Sequence, residues 1–186
     1  MIYTSKIAFI HIPKTSGMSV KRCIEEHCPD AKFMPEHMFN DNYNGTDWRL
    51  EMHYSYAYWE HLLDKQWVFS IVRNPYVRAV SFYLFLKNMS DLKDDWPNLV
   101  FEDIFTEHFQ TQTQILTGKN SLVPNIFKFE DSYEPLEKKL GFKIDKHLLK
   151  NKSYNYADFY NPKRIQLVYE VFEEDFKNFG YNTSFT

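Results

Sequence analysis

The stretch Lys6-Ile-Ala-Phe-Ile-His-Ile-Pro-Lys-Thr-Ser-Gly-Met-Ser-Val20 sets the tightest limits on how this chain can fold. Ile7 to Ile12 form a short apolar run, the pattern of a strand buried on both faces. Pro13 stops the ladder, having no N–H to donate. Lys14, Thr15, Ser16, Gly17 and Ser19 then crowd hydroxyls and small residues into a turn. From Met18 the spacing becomes helical, with Met18, Val20, Cys23 and Ile24 expected on one face. Strand, small-residue turn and helix together present backbone N–H groups and a helix N-terminus to an anion. Lys14 adds a full positive charge, so the stretch reads as a phosphate or sulfate site. An ordinary strand-to-helix turn with a surface lysine fits the same residues. The nucleotide-triphosphate loop does not, because here the lysine precedes a single glycine.

A second apolar run, Gln66-Trp-Val-Phe-Ser-Ile-Val72, predicts another buried strand. It delivers Arg73-Asn-Pro-Tyr-Val-Arg-Ala-Val-Ser-Phe-Tyr83, where Pro75 suits the first turn of a helix. Tyr76, Val80 and Tyr83 share one face of that helix, and Ser81 lies two turns in. An arginine fork at a strand end with a hydroxyl nearby suits a phosphate monoester. Taken alone, Arg73 also fits a structural arginine capping a loop.

The two stretches together resemble the sulfotransferases that use 3′-phosphoadenosine 5′-phosphosulfate (PAPS), in particular the carbohydrate O-sulfotransferase branch. In that family His-Ile-Pro-Lys-Thr-x-Gly-x-Ser holds the 5′-phosphosulfate, which implies Lys14, Thr15, Ser16, Gly17, Met18 and Ser19 as donor-binding residues. Met18 stands where relatives usually carry Thr, removing one hydroxyl from the loop. Arg-[Asn/Asp]-Pro-x-x-Arg-x-x-Ser is the family's 3′-phosphate motif, with Arg73 and Ser81 in its two ligand positions. Arg78 matches the second arginine and is expected in structural pairing. The resemblance implies an α/β fold, a three-layer P-loop-NTPase-like sulfotransferase fold with a central mainly parallel sheet flanked by helices. It further implies a single domain over residues 1–186.

Further segments extend the likeness. Asn125-Ile-Phe-Lys-Phe-Glu130 reads as a third strand, similar to the family's Arg-Phe-Glu segment, with a helix over Ser132 to Leu140. Leu149-Lys-Asn-Lys-Ser-Tyr154 resembles an Asn-Lys-[Ser/Thr] segment that closes over the nucleotide, implying Lys152 and Ser153 as ligands. Tyr160 to Phe179 is an amphipathic helix stopped by Gly180, like the family's C-terminal helix. A short strand is expected near Ala31 to Met34, and a helix from Phe101 to about Gln112.

Transfer of a sulfuryl group needs in-line alignment, neutralised oxygens and a base for the incoming hydroxyl. Lys14 is the natural cation for the bridging oxygen of the departing 3′-phosphoadenosine 5′-phosphate (PAP). His53 is the expected base. It lies ahead of the second strand, where relatives acting on uronic acids have His-Gly-His, and Glu51 could share or orient the proton acceptor. A histidine stacked among Tyr54, Tyr56 and Tyr58 fits the same position. His11, on the buried strand, is expected to be structural. The logic calls for no metal, and no carboxylate cluster suggests one.

Composition narrows the classes. The 186 residues suffice for one domain with a substantial core. Thirteen Tyr and 17 Phe point to an aromatic core and an aromatic acceptor cleft, which fits a saccharide, a phenol or a lipid equally; the resemblance implies the saccharide. A net charge of −3 argues against nucleic-acid binding. Cys23 and Cys28 give no disulfide framework, which suggests a reducing compartment. No apolar stretch approaches membrane-spanning length, so a soluble, cytoplasmic protein is expected. Two other classes compete: a nucleotide-dependent kinase of related fold and a non-catalytic PAPS- or sulfoglycan-binding module. The first would need a Walker-type loop and a magnesium carboxylate. The second would need the loss of Lys14 or of every plausible base.

Overall fold

In the computed structural model, residues 1–33, 56–63, 65–93, 99–105, 109–119, 121–145 and 154–185 are described. The strands are β1 (Ile2–Tyr3), β2 (Ile7–Ile10), β3 (Lys32–Phe33), β4 (Trp67–Val72) and β5 (Asn125–Lys128). The helices are α1 (Gly17–His27), α2 (Tyr56–Trp59), α3 (Pro75–Lys93), α4 (Gln112–Leu116), α5 (Glu134–Leu140) and α6 (Pro162–Phe179). Short 3-10 turns occupy Glu60–Leu62, Phe101–Ile104 and Tyr156–Phe159. Two compact units emerge, Met1–Val72 with Gln112–Asn151, and Arg73–Thr111 with Lys152–Thr186.

The first unit is built on a sheet of order β3-β1-β2-β4-β5. β2 pairs with β4 and β4 with β5 in parallel, while β1 runs antiparallel to both β2 and β3. Four strands therefore share one direction, and the α/β class with a mainly parallel sheet flanked by helices is what the chain adopts. The apolar runs explain the centre. On one face Phe9, Phe69 and Ile71 are buried with Val20, Cys23 and Ile24 of α1 and Leu136 of α5. On the other, Ala8, Ile10, Val68 and Val72 are buried as well. Such double-sided burial suits a parallel sheet and accounts for runs without polar alternation. β5 is half-buried along its whole length, as an outer strand should be.

One polar side chain interrupts this interior. Ser70 is fully buried, and its hydroxyl donates across the ladder to the Ile10 carbonyl at 2.7 Å. A buried hydroxyl needs such a partner, and here the bond ties β4 to the last residue of β2.

The second unit has an aromatic core. Tyr76, Ala79 and Val80 of α3 pack with Phe101, Ile104 and Phe109, and with Val168, Phe172 and Phe176 of α6. Asn74 caps α3, its Oδ1 accepting from the Tyr76 N–H at 2.9 Å, and Pro75 takes the first helical position. Asn161 caps α6 in the same way, accepting from the Arg164 N–H. Gly180 ends that helix in the left-handed region at φ 61°, as expected for a C-terminal glycine. The Arg164 guanidinium grips both oxygens of Glu102, at 2.7 and 3.2 Å, and holds that carboxyl below its usual range.

Two local expectations differ from what is found. The helix expected from Phe101 to Gln112 is instead a 3-10 turn at Phe101–Ile104 and a separate α4 at Gln112–Leu116. Phe105 leaves helical geometry, with φ −84° and ψ 50°, which ends the turn there. Met18 is 48% exposed and so lies off the buried face of α1, which carries Gly17, Ser19, Val20, Cys23 and Ile24. Two residues turn a helix by about 200°, which sets Met18 opposite Val20.

Arg78 is the largest buried side chain of the second unit. Its guanidinium lies 4.4 Å from the Phe109 ring centroid and donates to the Gln110 carbonyl at 3.0 Å. Burial pushes its pKa down to about 10, opposed by the charge of Asp175, which is itself fully buried. The arginine stays charged at neutral pH and depends on that carboxylate. Asp175→Asn should therefore cost about 3 kcal/mol in urea unfolding, because it leaves a buried cation uncompensated. The double replacement of Arg78→Met with Asp175→Leu should recover most of the loss.

Candidate anion-binding site

The parallel pairing of β2 with β4 sets Ile10 beside Ser70, so both strands finish at the same edge of the sheet. In α/β sheets this carboxyl edge is where ligands gather. From β2 the chain runs through residues 11–16 into α1. From β4 it continues directly into Arg73.

The loop after β2 has an unusual backbone. Lys14 (φ 69°) and Ser16 (φ 72°) both occupy the left-handed region without being glycine. Each such residue costs on the order of 1–2 kcal/mol, and strain of this kind is typical of ligand sites. Left-handed residues next to right-handed ones are the backbone from which anion-accepting N–H concavities are built. The intrahelical bonds of α1 begin only with Ser19 and Val20, both donating to the Ser16 carbonyl. The N–H groups of Gly17 and Met18 therefore precede the helical ladder at its positive end.

The glycine makes room for a neighbouring ring. Gly17 has no positive φ, and a Cβ built there would fall onto the His11 ring. His11 in turn stacks on Phe9, with centroids 6.1 Å apart. The imidazole thus packs directly over the first residue of α1, in keeping with a structural histidine.

The predicted donor-binding residues take distinct positions. Lys14 and Ser16 are half-buried. Thr15 is fully buried and its hydroxyl donates to the Ile12 carbonyl at 2.9 Å, which closes the turn and commits its proton. Ser19 is buried on the inner face of α1, and Met18 is exposed at its start. These residues belong to the first compact unit.

Arg73 and Ser81 belong to the second unit, both half-buried. Arg73 Nη2 donates to the Tyr156 hydroxyl at 3.2 Å, and the guanidinium carbon lies 5.8 Å from the centre of the Tyr156 ring. Tyr156 was not singled out by the sequence, although it follows the predicted Lys152-Ser153 pair by three residues. Glu51, His53, Lys152 and Ser153 lie outside the described residues.

Among the described residues no helix is long and apolar enough to cross a membrane. A family model described as the sulfotransferase family matches residues 1–182, nearly the whole chain. No curated protein and no solved structure gives a match. With an anion-ready strand–loop–helix, a mainly parallel sheet and a match of this extent, the chain belongs to the sulfotransferase family and is an enzyme of sulfuryl transfer.

Proposed function

We propose that the protein transfers a sulfuryl group from PAPS to a hydroxyl of a carbohydrate, with residues 1–186 acting as a single catalytic domain. The observation that carries this reading is the loop at residues 11–17. It offers a lysine held in the left-handed region, backbone N–H groups ahead of the helical ladder, and the positive end of an 11-residue helix. That donor set suits the 5′-phosphosulfate, and no further charge is needed to hold an anion there. The half-buried Arg73, hydrogen-bonded to the Tyr156 hydroxyl, suits a phosphate monoester such as the 3′-phosphate, with Ser81 as a further donor. Lys152 and Ser153 complete the nucleotide site in this proposal.

In the reaction the acceptor oxygen attacks sulfur in line, a new S–O bond forms, and the bond from sulfur to the 5′-phosphate oxygen breaks. Lys14 stabilises the charge that gathers on that departing oxygen. His53, with Glu51 beside it in sequence, takes the acceptor's proton. PAP and a sulfate ester leave. The preference for a saccharide acceptor rests on the resemblance to the carbohydrate O-sulfotransferase branch.

Lys14→Ala should lower kcat by a factor of roughly 100 or more while weakening PAP binding far less, because the charge matters most as the bond breaks. Wild-type turnover in that variant would remove Lys14 from the mechanism. With His53 as the base, the rate at saturating substrate should fall on the acidic side with one titrating group. His53→Ala should abolish that limb. An unchanged profile in His53→Ala would transfer the role to Glu51. Calorimetry should show wild type preferring adenosine 3′,5′-bisphosphate over adenosine 5′-phosphate. Arg73→Ala should lose most of that preference, and Arg73→Lys should restore only part, since a point charge cannot reproduce the fork. Equal discrimination by all three proteins would make Arg73 structural.

A further inference from the structure

An arginine that reads a phosphate works best when its fork is already aimed, because each immobilised flexible side chain costs affinity on binding. Arg73 is half-buried at the point where the chain leaves β4, and its Nη2 meets a specific partner, the Tyr156 hydroxyl at 3.2 Å. The distance is at the long end of the hydrogen-bonding range. The ring of the same tyrosine lies 5.8 Å from the guanidinium carbon, within reach of a cation–π contact.

Tyr156 is itself anchored without help from Arg73. It opens the 3-10 turn Tyr156–Phe159, which Asn155 caps: Asn155 Oδ1 accepts from the Ala157 N–H at 3.3 Å. Asn155 Nδ2 donates to Asp158 at 2.8 Å. The Tyr156 ring packs against the aromatic core formed by α3, α6 and the Phe101 segment. The tyrosine is thus a fixed post, and the arginine is the side chain being held.

We propose that Tyr156 is a positioning residue for nucleotide recognition, holding one arm of the Arg73 guanidinium so that the rest of the fork faces the 3′-phosphate. The inference rests on the reading of Arg73 as the 3′-phosphate ligand. The hydroxyl suits this place because its oxygen accepts from the arginine while its own proton remains to donate. A carboxylate in the same place would neutralise the arginine and oppose the incoming dianion. Tyr156 orients the cation and leaves its charge intact.

Tyr156→Phe keeps the ring and its packing and removes only the oxygen. Calorimetry with adenosine 3′,5′-bisphosphate and adenosine 5′-phosphate should be run on wild type, Tyr156→Phe, Arg73→Ala and the double variant, with melting temperatures as a fold control. The expected result is about a tenfold loss for the bisphosphate in Tyr156→Phe and no change for the monophosphate. The double variant should bind the bisphosphate no worse than Arg73→Ala alone, because the tyrosine acts through the arginine. Equal losses for both nucleotides, full additivity with Arg73→Ala, or an unchanged bisphosphate affinity in Tyr156→Phe would each overturn the proposal. If Arg73→Ala itself discriminates like wild type, the role of Arg73 fails first and takes the positioning role with it. If Arg73→Ala loses discrimination and Tyr156→Phe does not, only the positioning role fails.

Discussion

The parallel ladder between β2 and β4 is the constraint on which the other features depend. It fixes Ile10 opposite Ser70, and the Ser70 hydroxyl locks that register with a bond to the Ile10 carbonyl. A slip of one residue would turn every side chain of β2 to the wrong face and would strand that hydroxyl in the interior. With the register held, the loop at residues 11–16 always leaves the sheet at the same height. The start of α1, the lysine in the loop and the stacked His11 all take their positions from that exit point.

The backbone of that loop is held from below. Ile12 and Thr15 are fully buried, and the Thr15 hydroxyl returns to the Ile12 carbonyl. Those contacts oppose the left-handed strain at Lys14 and Ser16 and hold the backbone of the loop in place.

Much of the architecture was legible because the interior strands are continuous apolar runs. Ile7–Ile10 and Trp67–Val72 fall inside the segments that their sequence marks, and α6 ends at the glycine that signals its stop. The finer geometry was not legible. The sequence marks a turn without saying which of its residues take positive φ: Lys14 and Ser16 carry it, and Gly17 makes room for a ring. Local pattern cannot reveal that division, because it is set by His11 reaching across the loop. The Phe101 to Gln112 stretch misled because its buried residues Phe101, Ile104 and Phe109 join one core through a 3-10 turn and an irregular segment, with no continuous helix. Tyr156 left no motif, since its partner Arg73 is 83 positions away and only folding brings the pair together. The segments around His53 and Lys152 are read from resemblance alone.

The packing of His11 on Gly17 also bears on how this loop can change over generations. The space that any side chain at position 17 would need is filled by the imidazole, so a single substitution there meets an occupied volume. A smaller residue at position 11 would vacate that volume first. A substitution at position 17 thus requires the ring to move, and prior replacement of the histidine removes that requirement. The tolerance of position 17 is therefore set by the residue at position 11, so a library that varies both samples more than one that varies position 17 alone.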